Sequence, residues 1–406
     1  MDEAAQGRAE AGAALPPPRL VVLVPAHDEA TQIEATLDGL ARQTRRADRV
    51  IVVADNCSDD TAALARRCGA EVYETVDNAD KKAGALNQAL VRRFRRSTGT
   101  DRRTAAQDGS GVEEDRRSGP RRAELAPSPD LGEDDYVLVM DADTVLAEEF
   151  LAVAAACLDA DPDRAAAGGL FYGHPGGGLL GQFQRNEYLR YSRDVARTGK
   201  VMVLTGTGTL FRVRALRQVA DARGTGLPGR RGQVYDTLAL TEDNELTLAL
   251  KSLGWGVASP PACTVTTEIM PTWGDLWRQR MRWQRGALEN LRHYGLTRTT
   301  ARYWGQQVGM GFGVMAFQAY LWLTVLLVTA SASFHFSGFW TAIGGIFVIE
   351  RVATAWRGGW RARVVALLLV PELLYDLFIQ AVFARSVVDV LARREAAWHH
   401  VATPAP

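Results

Sequence analysis

The chain has 406 residues, long enough for one large domain or two ordinary ones. Its 47 Lys and Arg balance 47 Asp and Glu, so no global charge draws it to nucleic acid. Cys57, Cys68, Cys157 and Cys263 are scattered and form no CxxC pair, which argues against a zinc site or a disulfide framework and fits reduced cytosolic thiols.

The opening MDEAAQGRAEAGAALPPPRL lacks a basic start and an apolar core, so it does not read as a signal peptide, and residues 1–18 are expected to be disordered. RLVVLVPAHDEA reads as a buried strand ending in a polar turn. Thr31 and Glu34 have capping-box spacing ahead of a helix through TLDGLARQ. RVIVVAD is a second buried strand, TAALARRCGA a helix that Gly69 can end, and EVYETV a short third strand. Strands alternating with helices predict an α/β fold with a mostly parallel sheet and helices on its faces. Residues 95–134 break the pattern. They are charged, rich in Gly, Pro and Ser, and nearly free of large apolar side chains. Such a composition cannot bury enough surface to offset ordering, so it reads as a disordered insertion. YVLVMDADT resumes as a strand, AEEFLAVAAACLDA as a helix and, beyond mixed strand and loop material, LTLALKSLGW as another helix. No internal repeat is visible.

Three acidic sites fall where strands end or helices begin: ADNCSDD, DAD and TED. In open α/β sheets, ligands bind beyond the carboxyl ends of the strands, and Asp55, Asp141 and Asp143 all fall there. Clustered carboxylates repel one another and need a cation. An Asp pair at i, i+2 suits a hard divalent ion that also holds phosphate oxygens. The chain has no P-loop and no GxGxxG after its first strand, which disfavours an NTPase and a dinucleotide dehydrogenase. The ion would then hold the diphosphate of another activated molecule. Asp243 stands apart from the pair and is placed to act as general base on an acceptor hydroxyl.

In their order, PAHDE, VADNCSDDT, KAGALN, VMDADT, GTGTLFR, TED and QRMRW resemble the membrane-bound branch of the family 2 glycosyltransferases. That branch holds cellulose, chitin, hyaluronan and poly-N-acetylglucosamine synthases and ceramide glucosyltransferase. The resemblance implies a cytosolic GT-A type nucleotide-sugar-binding domain over 19–270, an interfacial helix over 271–300, transmembrane helices over 304–392 and a tail over 393–406. It implies that His27 and Glu29 lie in the turn receiving the nucleotide base, His27 at a position the family fills with an aromatic. Asp55 is similar to the uracil-contacting acid and Lys82 to a lysine near the nucleotide. Asp141 and Asp143 resemble the pair that holds the donor through Mg2+ or Mn2+, with Asp143 most directly on the ion. Asp243 resembles the catalytic base, and Thr205, Gly206 and Thr207 the loop beside the acceptor.

Placed on a helix at about 100° per residue, TWGDLWRQRMRWQRGALENLRHY aligns Trp273, Trp277, Met281, Leu288 and Leu291 in one apolar stripe. Gln279, Arg282 and Trp283 cluster almost opposite. A helix lying on a membrane would bury the stripe and turn these three toward the site. Gln279 and Arg282 would grip the diphosphate and Trp283 would offer a flat face to the acceptor sugar. Arg278 and Arg285 are candidates for lipid headgroups. Residues 303–349 carry no Asp, Glu, Lys or Arg, and 307–330 and 334–355 read as spans. Arg357, Arg361 and Arg363 in the following connection place it, and the catalytic domain, in the cytosol. A third segment, 364–391, carries Glu372, Asp376, Arg385 and Asp389, and either spans or lies in the interface.

The combined expectation is an integral protein of the cell membrane. It is an inverting hexosyltransferase moving a sugar from a UDP-sugar to an acceptor hydroxyl, extending a β-linked polysaccharide or oligosaccharide. Single-sugar transfer to a lipid is the nearest alternative, because ceramide glucosyltransferase shares the Q-x-x-R-W signature. A non-catalytic nucleotide-sugar-binding subunit would be expected to have lost Asp243 or the Asp pair, and both are present. The partners implied are the donor, a glycan or lipid acceptor and the membrane. An oligomer or export partner stays open, since two or three helices are few for a private polymer channel.

Overall fold

The computed structural model describes residues 17–94, 131–330 and 338–394. The expected insertion lies outside the described residues except for 131–134, as do residues 1–16, the connection at 331–337 and the tail from 395.

The chain runs through β1 (Leu20–Ala26), α1 (Ile33–Ala41), β2 (Arg49–Ala54), α2 (Thr61–Arg67), β3 (Glu71–Glu74) and α3 (Lys81–Phe94). Then come β4 (Tyr136–Val139), β5 (Val145–Leu146), α4 (Phe150–Asp159), β6 (Arg164–Gly168), β7 (Leu170–Gly173) and α5 (Gly178–Thr198). β8 (Thr209–Arg212), α6 (Val213–Ala222), α7 (Glu242–Ser252), β9 (Gly256–Ala258) and β10 (Thr264–Thr267) complete the sheets. They are followed by α8 (Trp273–Tyr294), α9 (Ala301–Ala330), α10 (Gly338–Thr354), a 3-10 turn, α11 (Gly359–Leu367) and α12 (Leu369–Leu391).

Seven strands form one sheet in the order β3-β2-β1-β4-β8-β6-β9, with β3, β2, β1 and β4 parallel. All seven residues of β1 are buried, because helices cover both faces. Val21 and Leu23 join Leu86 and Leu90 of α3 on one face, whereas Val22 and Val24 join Ile33, Leu37 and Phe150 on the other. The strand's twofold alternation therefore feeds two separate cores. The Thr31–Glu34 box does not form: α1 starts at Ile33, its N-cap Gln32 makes no side-chain bond, and the amides of Gln32 and Ile33 donate to the carbonyl of Glu29.

Two pairings position the site. β8 runs antiparallel to β4, with Thr209 opposite Val139, so the loop entering β8 meets the carboxyl end of β4. A small second sheet, β5-β10-β7, ties the turn after β4 to the segment following β10.

The apolar stripe of α8 is partly covered by protein, with Trp273 still 45% exposed. α12 runs alongside it: Phe378 packs against Trp273 and Trp277 at 5.0 and 5.6 Å, and Ser386 Oγ lies 3.3 Å from Met281 Sδ. Leu291 packs with Leu248 and Tyr303. The guanidinium of Arg285 is engaged by Glu289 at 2.6 Å and by the carbonyl of Arg394. The acids of the third apolar segment are paired. Glu372 meets Arg190 at 3.0 Å and Arg351 at 3.1 Å, Asp376 meets Arg351, and Asp389 meets Arg385 and Arg394. Among the described residues, α9 alone is long and apolar enough by itself to cross a bilayer, while the segments Trp356–Leu367 and Leu369–Leu391 meet that measure only together and are bent by 91°. α10 has 17 residues, short of the roughly 20 a span needs.

Candidate active site

The parallel strands β1, β2 and β4 end at one edge of the sheet, and each delivers an acid there. After β1, His27 Nδ1 lies 2.5 Å from the carbonyl oxygen of Asp55, which joins the first two strand ends. Asp55 is 7% exposed, and its Oδ1 accepts from Thr75 Oγ1 at 2.7 Å and Asn78 Nδ2 at 2.8 Å, which fixes the carboxylate in the floor. Asp141 and Asp143 follow β4.

Gly206 marks the centre. A methyl group on its Cα would lie 3.0 Å from Lys82 Nζ, 3.5 Å from Asp141 Oδ2 and 3.7 Å from Asp243 Oδ2. Its main-chain amide donates to Asp243 Oδ2 at 3.1 Å, and the amide of Asn244 donates to Oδ1 at 2.7 Å. The Asn244 bond exists because Asp243 and Asn244 occupy the first turn of α7, where amides lack helical partners, and the Gly206 bond adds a donor from the loop before β8. Flanking Gly206, Thr205 and Thr207 share a hydroxyl contact of 2.9 Å. Lys82 enters from the start of α3 and bridges Asp141 at 2.5 Å and Glu242 at 2.9 Å.

The electrostatics follow from this crowding. Burial, then the Asp143, Glu268 and Asp141 carboxylates, push Glu29 up to about 8. Burial and Asp141 push Asp143 up to about 7. Burial and Glu242, opposed by Lys82, bring Asp243 to about 6. Burial disfavours the Lys82 ammonium, yet Asp141 and Glu242 together hold its pKa well above the usual lysine range. Burial likewise works against Glu242, and Lys82 outweighs it, leaving Glu242 below its ordinary value. Glu29, Asp141, Asp143 and Glu268 thus act on one another electrostatically, and Asp141 and Asp143 after β4 offer oxygen donors of the kind a hard divalent cation takes. Among the described residues, the three side chains whose ligand atoms lie within 4.8 Å of one another are elsewhere, at Asp28, Cys57 and Asp59, where Asp28 is occupied by the amide and hydroxyl of Ser58 and serves as a loop tie.

Of the α8 residues, Arg282 is exposed, and its charge acts on Lys81 and Glu242 at the mouth of the site. Gln279 accepts from Arg280, and Trp283 is half-buried with the Arg280 guanidinium 4.3 Å from its ring centroid. Sequence reasoning passed over Glu242, Glu268, Glu187 and Arg280. Glu268 meets the Asp pair only through the β5–β10 pairing, and the partner of Arg280 lies 93 residues away. The adjacency of Glu242 to Asp243 was the one signal available in the text.

A parallel α/β sheet with an Asp pair at its carboxyl edge, an antiparallel β8 beside it and a carboxylate at the head of α7 is the arrangement of a GT-A glycosyltransferase. The chain belongs to the family described as Glycosyltransferase like family 2, which matches residues 17–286. It is 24% identical over 299 residues to the poly-beta-1,6-N-acetyl-D-glucosamine synthase of Staphylococcus aureus, covering 70% of this chain and 58% of that protein. It is 27% identical over 289 residues to the probable glycosyltransferase YdaM of Bacillus subtilis, covering 66% of this chain and 55% of the relative. The chain therefore spans little more than half the length of either. In fold it is similar to a mannosyltransferase from Pyrobaculum calidifontis solved with GDP-Man and Mn2+, at a TM-score of 0.56 and 18% identity, covering 93% of this chain and 88% of the other.

Proposed function

We propose that this chain is an inverting, membrane-bound transferase that moves a sugar from a UDP-sugar to an acceptor hydroxyl at the cytosolic face and extends a β-linked glycan. The observation that carries the reading is the convergence at Gly206: a candidate base, a candidate metal ligand and a lysine all lie within 4 Å of one point.

His27 and Asp55 receive the base. Asp141 and Asp143, with Glu29 and Glu268 nearby, would hold Mg2+ or Mn2+, which when bound neutralises charge on the donor diphosphate. Lys82 and Arg282 bring cationic charge to the same diphosphate, and Gln279 adds an amide donor. Trp283 and the Thr205–Thr207 loop bound the acceptor side. Asp243 takes the proton from the acceptor hydroxyl as that oxygen attacks the anomeric carbon opposite the leaving UDP. The amides of Gly206 and Asn244 fix its orientation. A single displacement turns an α-linked donor into a β-linked product. α9 supplies the bilayer anchor.

The test is UDP release by the full chain in detergent or nanodiscs across UDP-N-acetylglucosamine, UDP-glucose, UDP-glucuronate and UDP-galactose, with product masses. The naming of the Staphylococcus relative makes UDP-N-acetylglucosamine the first donor to try. A ladder of masses supports glycan extension, and a single mass on a lipid replaces it with glycolipid synthesis. An α-linked product rejects the mechanism.

A further inference from the structure

Behind Trp283 lies a chain of contacts that the chemistry above does not use. Arg280 is 5% exposed. Its guanidinium lies against the Trp283 ring, 4.3 Å from the centroid, and one of its nitrogens donates to Gln279. Arg280 thus touches two of the three motif residues of α8. Its Nη2 donates to Glu187 Oε2 at 2.9 Å. The same oxygen accepts from the hydroxyl of Tyr375 at 2.5 Å. Tyr375 belongs to α12, is 3% exposed and stacks on Phe183 of α5 at 5.1 Å between ring centroids. Segments almost 190 residues apart therefore meet on one carboxylate. A planar guanidinium on an indole face fixes the ring by cation–π attraction and shape together. α12 also joins the apolar layer, where Gln380 pairs with Gln318 of α9 at 3.1 Å.

We propose that Arg280 and Tyr375 are positioning residues: through Glu187 they set the Trp283 ring toward the acceptor, so that the seating of α12 against the catalytic domain governs acceptor affinity. The inference rests on the acceptor-side role of Trp283 proposed above. Displacement of a binding face by about an ångström is enough to weaken a productive complex. Loss of the tyrosine hydroxyl removes one of the two donors that hold Glu187 Oε2.

The experiment uses the full chain in lipid nanodiscs, with UDP-N-acetylglucosamine as donor and a β-1,6-linked N-acetylglucosamine tetrasaccharide as the acceptor probe. Tyr375→Phe keeps the Arg280–Gln279 bond and should raise the tetrasaccharide KM about tenfold, the scale of one lost hydrogen bond to a charged group, with the donor KM unchanged within about twofold. Arg280→Met should raise it further, and Arg280→Lys should recover part of the loss, since an ammonium still pairs with Glu187. Tyr375→Phe is the milder change and keeps the test open should Arg280→Met fail to fold. A uniform fall in kcat, or a lower Tm with the acceptor KM unchanged, assigns these residues a merely structural role and overturns the inference. If the wild type transfers to the probe and the variants keep its acceptor KM, the inference alone fails. If the wild type transfers nothing to it, the acceptor-side reading fails and takes this inference with it.

Discussion

The main-chain amide of Gly206 donates to Oδ2 of Asp243 across 3.1 Å, joining the loop before β8 to the head of α7. The two residues are 37 apart in sequence. A methyl at Gly206 would press on Lys82 Nζ at 3.0 Å, the mobile end of a long side chain. Gly206→Ala should therefore leave the fold intact, with a stability change within about 1 kcal/mol, while transfer falls at least about tenfold through the displaced lysine. Thermal unfolding and UDP release on the same preparation check this, and unchanged turnover would show that Lys82 has no part in the reaction.

Asp243→Asn separates binding from chemistry. The substitution keeps size and removes basicity, so donor affinity should hold within a few-fold while transfer falls about 100- to 10,000-fold. Two effects on stability oppose each other: Asn turns its NH2 toward one of the amides of Gly206 and Asn244, which loses its acceptor, while the buried charge disappears. The folded state favours the neutral form of Asp243, because burial and Glu242 raise its pKa to about 6. The ionised carboxylate present at neutral pH is therefore a destabilising feature that Asn lacks. Collapse of donor binding in the variant would make Asp243 a ligand rather than the base.

The same shift sets a pH dependence. A base works in its deprotonated form, so kcat/KM should drop as pH falls through about 6. Glu242 raises that value by repulsion, so Glu242→Gln should move the acid limb to lower pH. A limb that stays in place after this substitution assigns it to another group.

Removal of divalent ions should stop transfer, and Asp143→Asn should do so with ions present. Asp143, Glu29, Asp141 and Glu268 disfavour one another's ionised forms, and a divalent ion is the charge that would keep them ionised together at neutral pH. Added Mg2+ or Mn2+ should restore EDTA-treated enzyme. Full turnover of protein shown to be metal-free would falsify the assignment.

Away from the chemistry, Arg223 and Glu245 form a pair with both side chains essentially buried, at 0% and 2% exposure. Tyr294 of α8 donates to Glu245 at 2.5 Å. The pair ties α6 to α7, the helix that carries Asp243, and to α8. Arg223→Met leaves the Glu245 charge uncompensated and should lower stability by about 3–5 kcal/mol. Urea titration of the detergent-solubilised chain measures it.

The sequence by itself determined the layered α/β plan and the acids at the strand ends. Continuous runs such as LVVLVPA require burial on both faces, which parallel strands under helices provide, and parallel strands send their carboxyl ends to one edge. Asp55, Asp141 and Asp143 were legible for that reason. Tertiary structure decided which side chains share the space. The antiparallel return of β8 set Gly206 beside Asp141, and the β5–β10 pairing brought Glu268 to Asp143. The stripe on α8 was legible as apolar, but helical periodicity gives a face and not its partner. The fold packs α12 against part of it, Phe378 meeting Trp273 and Trp277 from more than 100 residues downstream. Glu372 and Asp376 of α12, costly in lipid, are met by Arg190 and Arg351 from helices that no local pattern places next to them. Ion pairs and ring stacks between distant segments depend on how the chain returns on itself, and residue spacing along the chain does not encode that return.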